Sequence, residues 1–437
     1  MKILSWIIIV MFMGLFTSCK KSSDSPGDSG LNPFSNGGSD RNMIVVLSDM
    51  HMGADSAYTE CKNNIAPLVK LLQQIQVAPN VKELVIAGDL VDEWFVPAPV
   101  NTYQGKDQSD FVKRVAATNK SVFDALNLII RENKIKVTYV PGNHDLGITA
   151  ANIELILHGI NQARDDEQGL GTYTPLDFKE LAIEHGHRYN FACAPDPISN
   201  KDIAPGSIMP PGYFFTRIAA KCVIEGFKPA GDTLAKVIKN NSGGVSQDLA
   251  LEYYKGWVSL MKMFPITEKF SDKLIVTNIN GFTKNYSVND LVPYQLTPGG
   301  TIDVNLFKGI QDNWEHRQDL NHVAIHIPVE QAIANQDSNE ITDAQSNIQY
   351  FMNPNSIVRI VVFGHTHIAR INTYFNNGKK SIYANSGTWI DSNKGPLTEN
   401  FVVITPQNTN AASMTYVKLY YVDKGVIKPI KADSLRY

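Results

Sequence analysis

Cysteine is scarce in this chain: four residues in 437, and no two of them in a CxxC pair. That excludes a disulfide-dense scaffold, a zinc ribbon and a thioredoxin-type redox centre. A surplus of charge is missing too. Forty Lys and Arg face 43 Asp and Glu, a formal net charge of −3, so no broadly basic surface marks a nucleic-acid partner, and none is expected. No internal repeat is visible. Disorder as the dominant state is also excluded, because 43% of the residues are hydrophobic and only 19% charged, enough to build a sizeable core. The length suits one large domain with insertions, or two domains.

The first residues stand apart. After Met1 and Lys2, an apolar run from Ile3 to Phe16 is broken only by Ser5. As a helix it would rise about 21 Å, short of the ~30 Å hydrocarbon core of a bilayer. A positive start, a short apolar run and then small residues is the layout of a secretory signal, here residues 1–18. The stretch Leu15-Phe16-Thr17-Ser18-Cys19 resembles a bacterial lipoprotein cleavage box, with Cys19 as the acylated first residue. A simple signal peptide cut nearby is the alternative. Residues 19–42 are rich in Ser, Gly and Asp and have little to bury, the composition of a flexible tether. This reading expects an exported protein, lipid-anchored to the periplasmic or surface face of a bacterial envelope. Cys61, Cys193 and Cys222 could form one disulfide at most, with the pair left open.

Structured sequence begins at Met43. Short β-branched runs (Met43–Leu47, Glu83–Ala87, Val137–Val140, Val358–Phe363) each close on a Gly or polar cluster, the mark of buried strands. Between them lie helical spacings: Ile65, Leu68, Leu72 and Ile75, then Phe111, Val115, Val122 and Leu126. Alternating strand and helix predicts a layered α/β domain over residues 43–437. Four further strands are expected at Ala369–Tyr374, Ser381–Asn385, Phe401–Ile404 and Thr415–Val422. A mixed stretch from about residue 188 to 321, with a helical piece at Leu249–Met263, reads as an inserted cap.

In such sheets, functional groups collect just past the carboxyl ends of strands. Five polar motifs fall there: Asp49-Met50-His51, Gly88-Asp89, Gly142-Asn143-His144-Asp145, His185-Gly186-His187 and Gly364-His365-Thr366-His367. Singly, each could be a turn or a helix cap. Carboxylate, imidazole and amide donors without thiolate suit Mn, Fe or Zn in a working site rather than a structural zinc. In His365-Thr366-His367, side chains two apart share a side if the segment is extended.

The ordered set resembles the calcineurin-like metallophosphoesterase superfamily. Finer features, Ser48 to Gly53, Gly88 to Trp94, His185-Gly186 and Asn385 to Trp389, resemble the branch of UDP-2,3-diacylglucosamine pyrophosphohydrolases. This chain differs from that branch in having His144 where Arg is usual, and in the long insertion. The resemblance implies a four-layer α/β/β/α sandwich and two divalent cations. Asp49, His51, Asp89 and His367 would hold one cation; Asn143, His185 and His365, with Asp89 as the bridge, the other. His187 is an alternative to His185. A hydroxide bridging the cations would attack phosphorus, His144 would protonate the leaving oxygen or orient the phosphate, and Asp145 would hold that imidazole.

The substrate expected is a phosphorylated small molecule, a phospholipid or a nucleotide sugar, cleaved at an ester or pyrophosphate bond. The rival reading is a catalytically silent, metal-containing surface binding protein of an envelope assembly. Asp92 and Glu93 stay open between a place behind the ligands and the surface. Trp94 and Trp389 read as packing, and His158, His316, His322 and His326 as surface or core residues.

Overall fold

The computed structural model describes residues 32–165, 169–336, 338–393, 397–407 and 413–436. The signal segment 1–18, Cys19 and the first part of the tether lie outside the described residues. Three parallel strands form the centre of one sheet: β1 (Met43–Leu47), β2 (Val81–Ala87) and β3 (Lys136–Val140). The parallel crossovers are made by α1 (Ile65–Gln76) and by the pair α2 (Gln108–Thr118) and α3 (Lys120–Glu132). α2 starts where the Asp107 carboxylate accepts from the Asp110 N–H, satisfying an amide that the helix itself leaves free.

On its other side β1 pairs antiparallel with Asn400–Thr405, followed outward by Thr415–Asp423 and Val426–Leu435. The strands expected in the C-terminal third are present, and Val426–Leu435 adds one more. A second sheet runs in the order Arg370–Asn376, Lys379–Asn385, Ile360–Phe363, Leu181–Glu184, Thr172–Tyr173.

Side-chain alternation along the strands builds two cores. Ile44 and Val46 of β1, Val85 and Ala87 of β2, and Val402 and Ile404 turn inward against Leu181, Ile183, Ile360, Val362, Ile382 and Ala384 of the second sheet. Their neighbours Val45, Leu47, Leu84 and Ile86 turn outward onto Leu68 and Leu72 of α1 and Val122 and Leu126 of α3. The outer face of the second sheet, with Ala182, Val361, Phe363 and Tyr383, joins the same apolar cluster as Tyr189, Phe191 and Tyr213. Period-two alternation thus buries both faces of the central strands of both sheets, while the edge strands Arg370–Asn376 and Val426–Leu435 stay partly exposed. The result is the mixed α/β sandwich expected from the motif order.

Residues 185–359 form the excursion between strands Leu181–Glu184 and Ile360–Phe363, and the stretch 188–321 lies inside it. Its longest helix is Gly244–Met263. Arg217 is fully buried there and bonds the carbonyls of Val96, Pro97, Ala98 and Val276, tying the excursion to the loop after β2. No disulfide links Cys61, Cys193 and Cys222 among the described residues. Among the described residues, no helix is long and apolar enough to cross a membrane.

Candidate metal centre

The carboxyl ends of β1, β2, β3, Leu181–Glu184 and Ile360–Phe363 converge, and each is followed directly by polar side chains. Backbone bonds zip these loops together. Met50 and His51 donate to the Asp89 carbonyl at 2.8 and 2.9 Å, and Gly364 donates to the His185 carbonyl at 3.2 Å. The turns are sharp. Asp49, His51, Asp89, His365 and His367 all have φ between 47° and 66°, a left-handed conformation that L-residues adopt at a cost and that clusters at functional sites. Asp49 is held in it from the far side of the sheet. Its carbonyl accepts from Thr388 Oγ1 and from the Trp389 N–H, both at 3.0 Å, and its carboxylate accepts from the His365 N–H.

Asp49, His51, Asp89 and His367 bring one ligand atom each to within 4.8 Å of one another. His367 Nε2 lies 3.1 Å from Asp49 Oδ1 and 3.1 Å from His51 Nε2. Asn143, His185 and His365 form a second group beside it. Asn143 Oδ1 is 3.0 Å from His185 Nε2 and 2.8 Å from His365 Nδ1. Asp89 Oδ2 sits between the groups, 3.5 Å from His51 Nε2 and 3.2 Å from His185 Nε2. The structure therefore gathers all seven residues that the motifs singled out as ligands.

Hydrogen bonds settle how two imidazoles face the centre. His185 Nδ1 is 2.8 Å from the Ala87 carbonyl, which can only accept, so Nδ1 carries a proton and Nε2 is the atom that faces Asp89 and Asn143. His51 Nδ1 donates in the same way to Asp92 Oδ2 at 2.9 Å. Such a partner fixes both tautomer and ring orientation in metal-binding histidines. His187 is buried, and its ring centre is 5.4 Å from His185 and 6.4 Å from His365. Neither of its ring nitrogens has a hydrogen-bond partner. His185, not His187, makes the contacts with Asn143 and Asp89.

His144 is placed differently from the ligands. Its backbone N–H donates to Asp89 Oδ1 at 2.8 Å, and its ring stacks on Trp94 at 4.8 Å between centroids. Its Nδ1 lies 2.9 Å from Asp92 Oδ1, which also accepts from the Trp94 and Phe95 amides. Asp145 does not hold this imidazole, contrary to the sequence reading. Its carboxylate faces the other way and accepts from the Gly142, Leu90 and Val91 amides. The reason is local: the turn that presents Asn143 and His144 needs an acceptor for its own amides, and Asp145 supplies it. Asp92 is the residue behind both His51 and His144. Its spacing from Asp89 was visible in the sequence, but only the fold separates it from its buried neighbour Glu93.

Glu60 was not anticipated. It stands at the rim with Oε2 3.4 Å from His51 Nδ1. His51, Glu60, Asp92 and His144 also lie within ligand distance of one another, but both imidazole Nδ1 atoms are already taken by Asp92, which bridges the two rings by hydrogen bonds with Glu60 standing beside them.

Burial alone would push the His51 and His185 pKa values down, yet both are raised. Asp92, Glu60 and Asp89 hold His51 well above the usual histidine range, and Asp89 and Asp49 lift His185 to about 9. Burial, with Asp89 beside it, pushes Asp145 up to about 6. Burial and the neighbouring His185 push His365 down to about 3. Buried carboxylates and imidazoles thus face one another across the centre, a donor set in which bound cations can take the place of the protons. Its donors, all oxygen and imidazole nitrogen, fit divalent Mn, Fe or Zn. The facing Nε2 atoms of His51 and His367, 3.1 Å apart, are placed to share a proton or, in its place, a cation.

Residues 43–204 match the family described as calcineurin-like phosphoesterase. The match supports a place in the metallophosphoesterase superfamily and a metal-dependent phosphoester hydrolase. It ends before His365 and His367, which the fold brings to the same centre. No curated protein matches the chain.

Proposed function

We propose that this protein is a dinuclear metal-dependent hydrolase of phosphate esters or pyrophosphate bonds, working at the outer face of a bacterial membrane through a lipid on Cys19. The observation that carries the dinuclear reading is the place of Asp89 Oδ2, between the Nε2 atoms of His51 and His185. Asp49, His51 and His367 would complete one cation's ligands, and Asn143, His185 and His365 the other's. When bound, such a cation pair lowers the pKa of a water to near neutrality and polarises the phosphoryl oxygens.

The rest of the work falls to side chains. Solvent reaches the centre beside His144, His367 and Glu60, whose side chains are 13%, 22% and 21% exposed against 0–1% for Asp49, His51, Asp89 and His185. In this reading a phosphoryl group entering there comes beside His144. Burial lowers the basicity of His144, but the Asp92 and Asp89 carboxylates outweigh that and raise it. With Nδ1–H given to Asp92, the Nε2–H is left to protonate the leaving oxygen. Trp94 and Asp92 hold the ring so that it cannot turn away. Substrates of this reading are phosphorylated small molecules, among them nucleotide sugars and lipid head groups.

Hydrolysis of para-nitrophenyl phosphate, bis-para-nitrophenyl phosphate and a nucleotide-sugar pyrophosphate tests the reaction. Turnover that EDTA abolishes and Mn²⁺ restores is expected, and the preferred compound names the bond. Two bound metals without turnover on any phosphate compound would favour the silent binding protein. For the membrane, incorporation of a labelled fatty acid that Cys19→Ala abolishes is expected; equal labelling of the variant would refute the anchor.

A further inference from the structure

The turn that carries His365 and His367 is held from outside the two sheets. Both histidines are in left-handed backbone, with φ of 66° and 60°, so the surroundings must fix what the chain would not adopt by itself. Thr366, between them, is buried and donates from Oγ1 to Asp343 Oδ1 at 3.3 Å, while accepting from Asn385 Nδ2 at 3.0 Å. Asn385 Nδ2 also donates to the Gly364 carbonyl at 2.7 Å, pinning the start of the same turn. The Tyr383 hydroxyl donates to the same Asp343 oxygen, and Arg370 Nη1 lies 3.1 Å from the other.

Thr366, Arg370, Tyr383 and Asn385 belong to the second sheet and its loops. Asp343 does not. It lies on the helix Asn339–Ser346, within the excursion 185–359, and is 1% exposed. A buried carboxylate is costly unless its lone pairs are matched, and here its partners are the turn itself and the side chains that brace it. One acidic residue of the excursion, beyond the stretch 188–321, therefore anchors the turn that presents two of the candidate ligands.

We propose that Asp343 is a positioning residue of the metal centre, fixing His365 and His367 for cation binding through Thr366. The proposal rests on the dinuclear reading above. It makes the excursion between the two strands part of the metal site: a shift of helix Asn339–Ser346 moves the acceptor on which the turn depends.

The test is uptake of Mn²⁺ by the full chain in equilibrium dialysis, with metal per chain read against free Mn²⁺ and a melting curve on each sample. Loss of a residue that orients metal ligands weakens binding by about 10- to 100-fold. D343A should need at least tenfold more free Mn²⁺ for half occupancy while remaining folded. D343N keeps an oxygen for Thr366 and Tyr383, so it should bind nearly as the wild type does. A folded D343A with the wild-type isotherm, even with a lowered melting point, would overturn the proposal and leave Asp343 merely structural. Should D343A not fold, T366V and Y383F each remove one bond to the same oxygen, and wild-type isotherms in both would overturn it equally. Wild-type protein that took up no Mn²⁺ would refute the dinuclear reading and this proposal with it; normal wild-type uptake with unchanged variants refutes this proposal alone.

Discussion

Asp92→Asn changes one atom of a side chain that is not itself a candidate ligand, and it should disable the centre. Asp92 Oδ1 accepts from the Trp94 and Phe95 amides at 2.8 and 2.7 Å and from His144 Nδ1 at 2.9 Å. Oδ2 accepts from His51 Nδ1 at 2.9 Å. All four partners are donors, and an amide has only one acceptor atom. If the Asn oxygen stays with the backbone amides, the new NH₂ meets the His51 Nδ1–H. His51 must then move that proton to Nε2, the atom that faces Asp49, Asp89 and His367, and ceases to be a ligand. If the amide flips, the NH₂ meets two backbone N–H groups and His144 instead. Neither orientation satisfies the site.

Loss of a partner behind a metal-bound histidine costs about 10- to 100-fold in metal affinity or activity, and a wrong tautomer places the loss at the upper end, about 3 kcal/mol. Chelator competition gives the affinity, and turnover at saturating Mn²⁺ gives the chemical step. Both should fall. An Asp92→Asn protein with wild-type Mn²⁺ affinity and wild-type rate would refute the tautomer argument.

Three further outcomes are expected. His144→Ala should keep its metals but slow hydrolysis of alkyl phosphates by about 10²- to 10⁴-fold, with a much smaller effect on para-nitrophenyl phosphate, whose leaving group needs no proton; equal losses on both would remove His144 as the acid. Gly88 has φ of 88°, and a Cβ there would collide with the His185 imidazole, so Gly88→Ala should displace that ring and reduce bound Mn²⁺, read by metal analysis of folded protein. Burial pushes the Glu93 carboxyl up to about 7. A raised carboxylate pKa means that the folded chain binds the extra proton, so stability falls as pH rises from the unfolded value of 4.5 towards 7. The effect is worth up to about 3 kcal/mol, and Glu93→Gln should flatten that slope in melting curves taken at pH 5 and pH 7.5; an unchanged slope would mean that Glu93 is ionised throughout.

Much of the centre was legible because its candidate ligands lie in short motifs placed directly after β-branched runs. β1 ends at Leu47 and Asp49 follows; β3 ends at Val140 and Asn143 follows. Strand periodicity located the sheets for the same reason, since Ile44 and Val46 face one core and Val45 and Leu47 the other. What stayed hidden depends on contacts distant in sequence. No propensity would place Asp49 or His367 in left-handed backbone; Thr388, Trp389 and Asn385 impose it from more than 300 residues beyond Asp49 or across the neighbouring strand. Asp145 looked like the partner of His144 because it is adjacent, but adjacent residues on a tight turn point apart, and the partner is Asp92, 52 residues earlier. Asp343 carries no signal at all in the sequence, as its helix is polar and its role comes only from where the helix docks.

The central claim is two cations bridged by Asp89, and a crystal grown with Mn²⁺ tests it most directly through anomalous scattering. Two peaks about 3.5–4 Å apart are expected, both within bonding distance of Asp89, one beside His51 and His367 and the other beside His185 and Asn143. A single peak, or a pair lying away from Asp89, would contradict it.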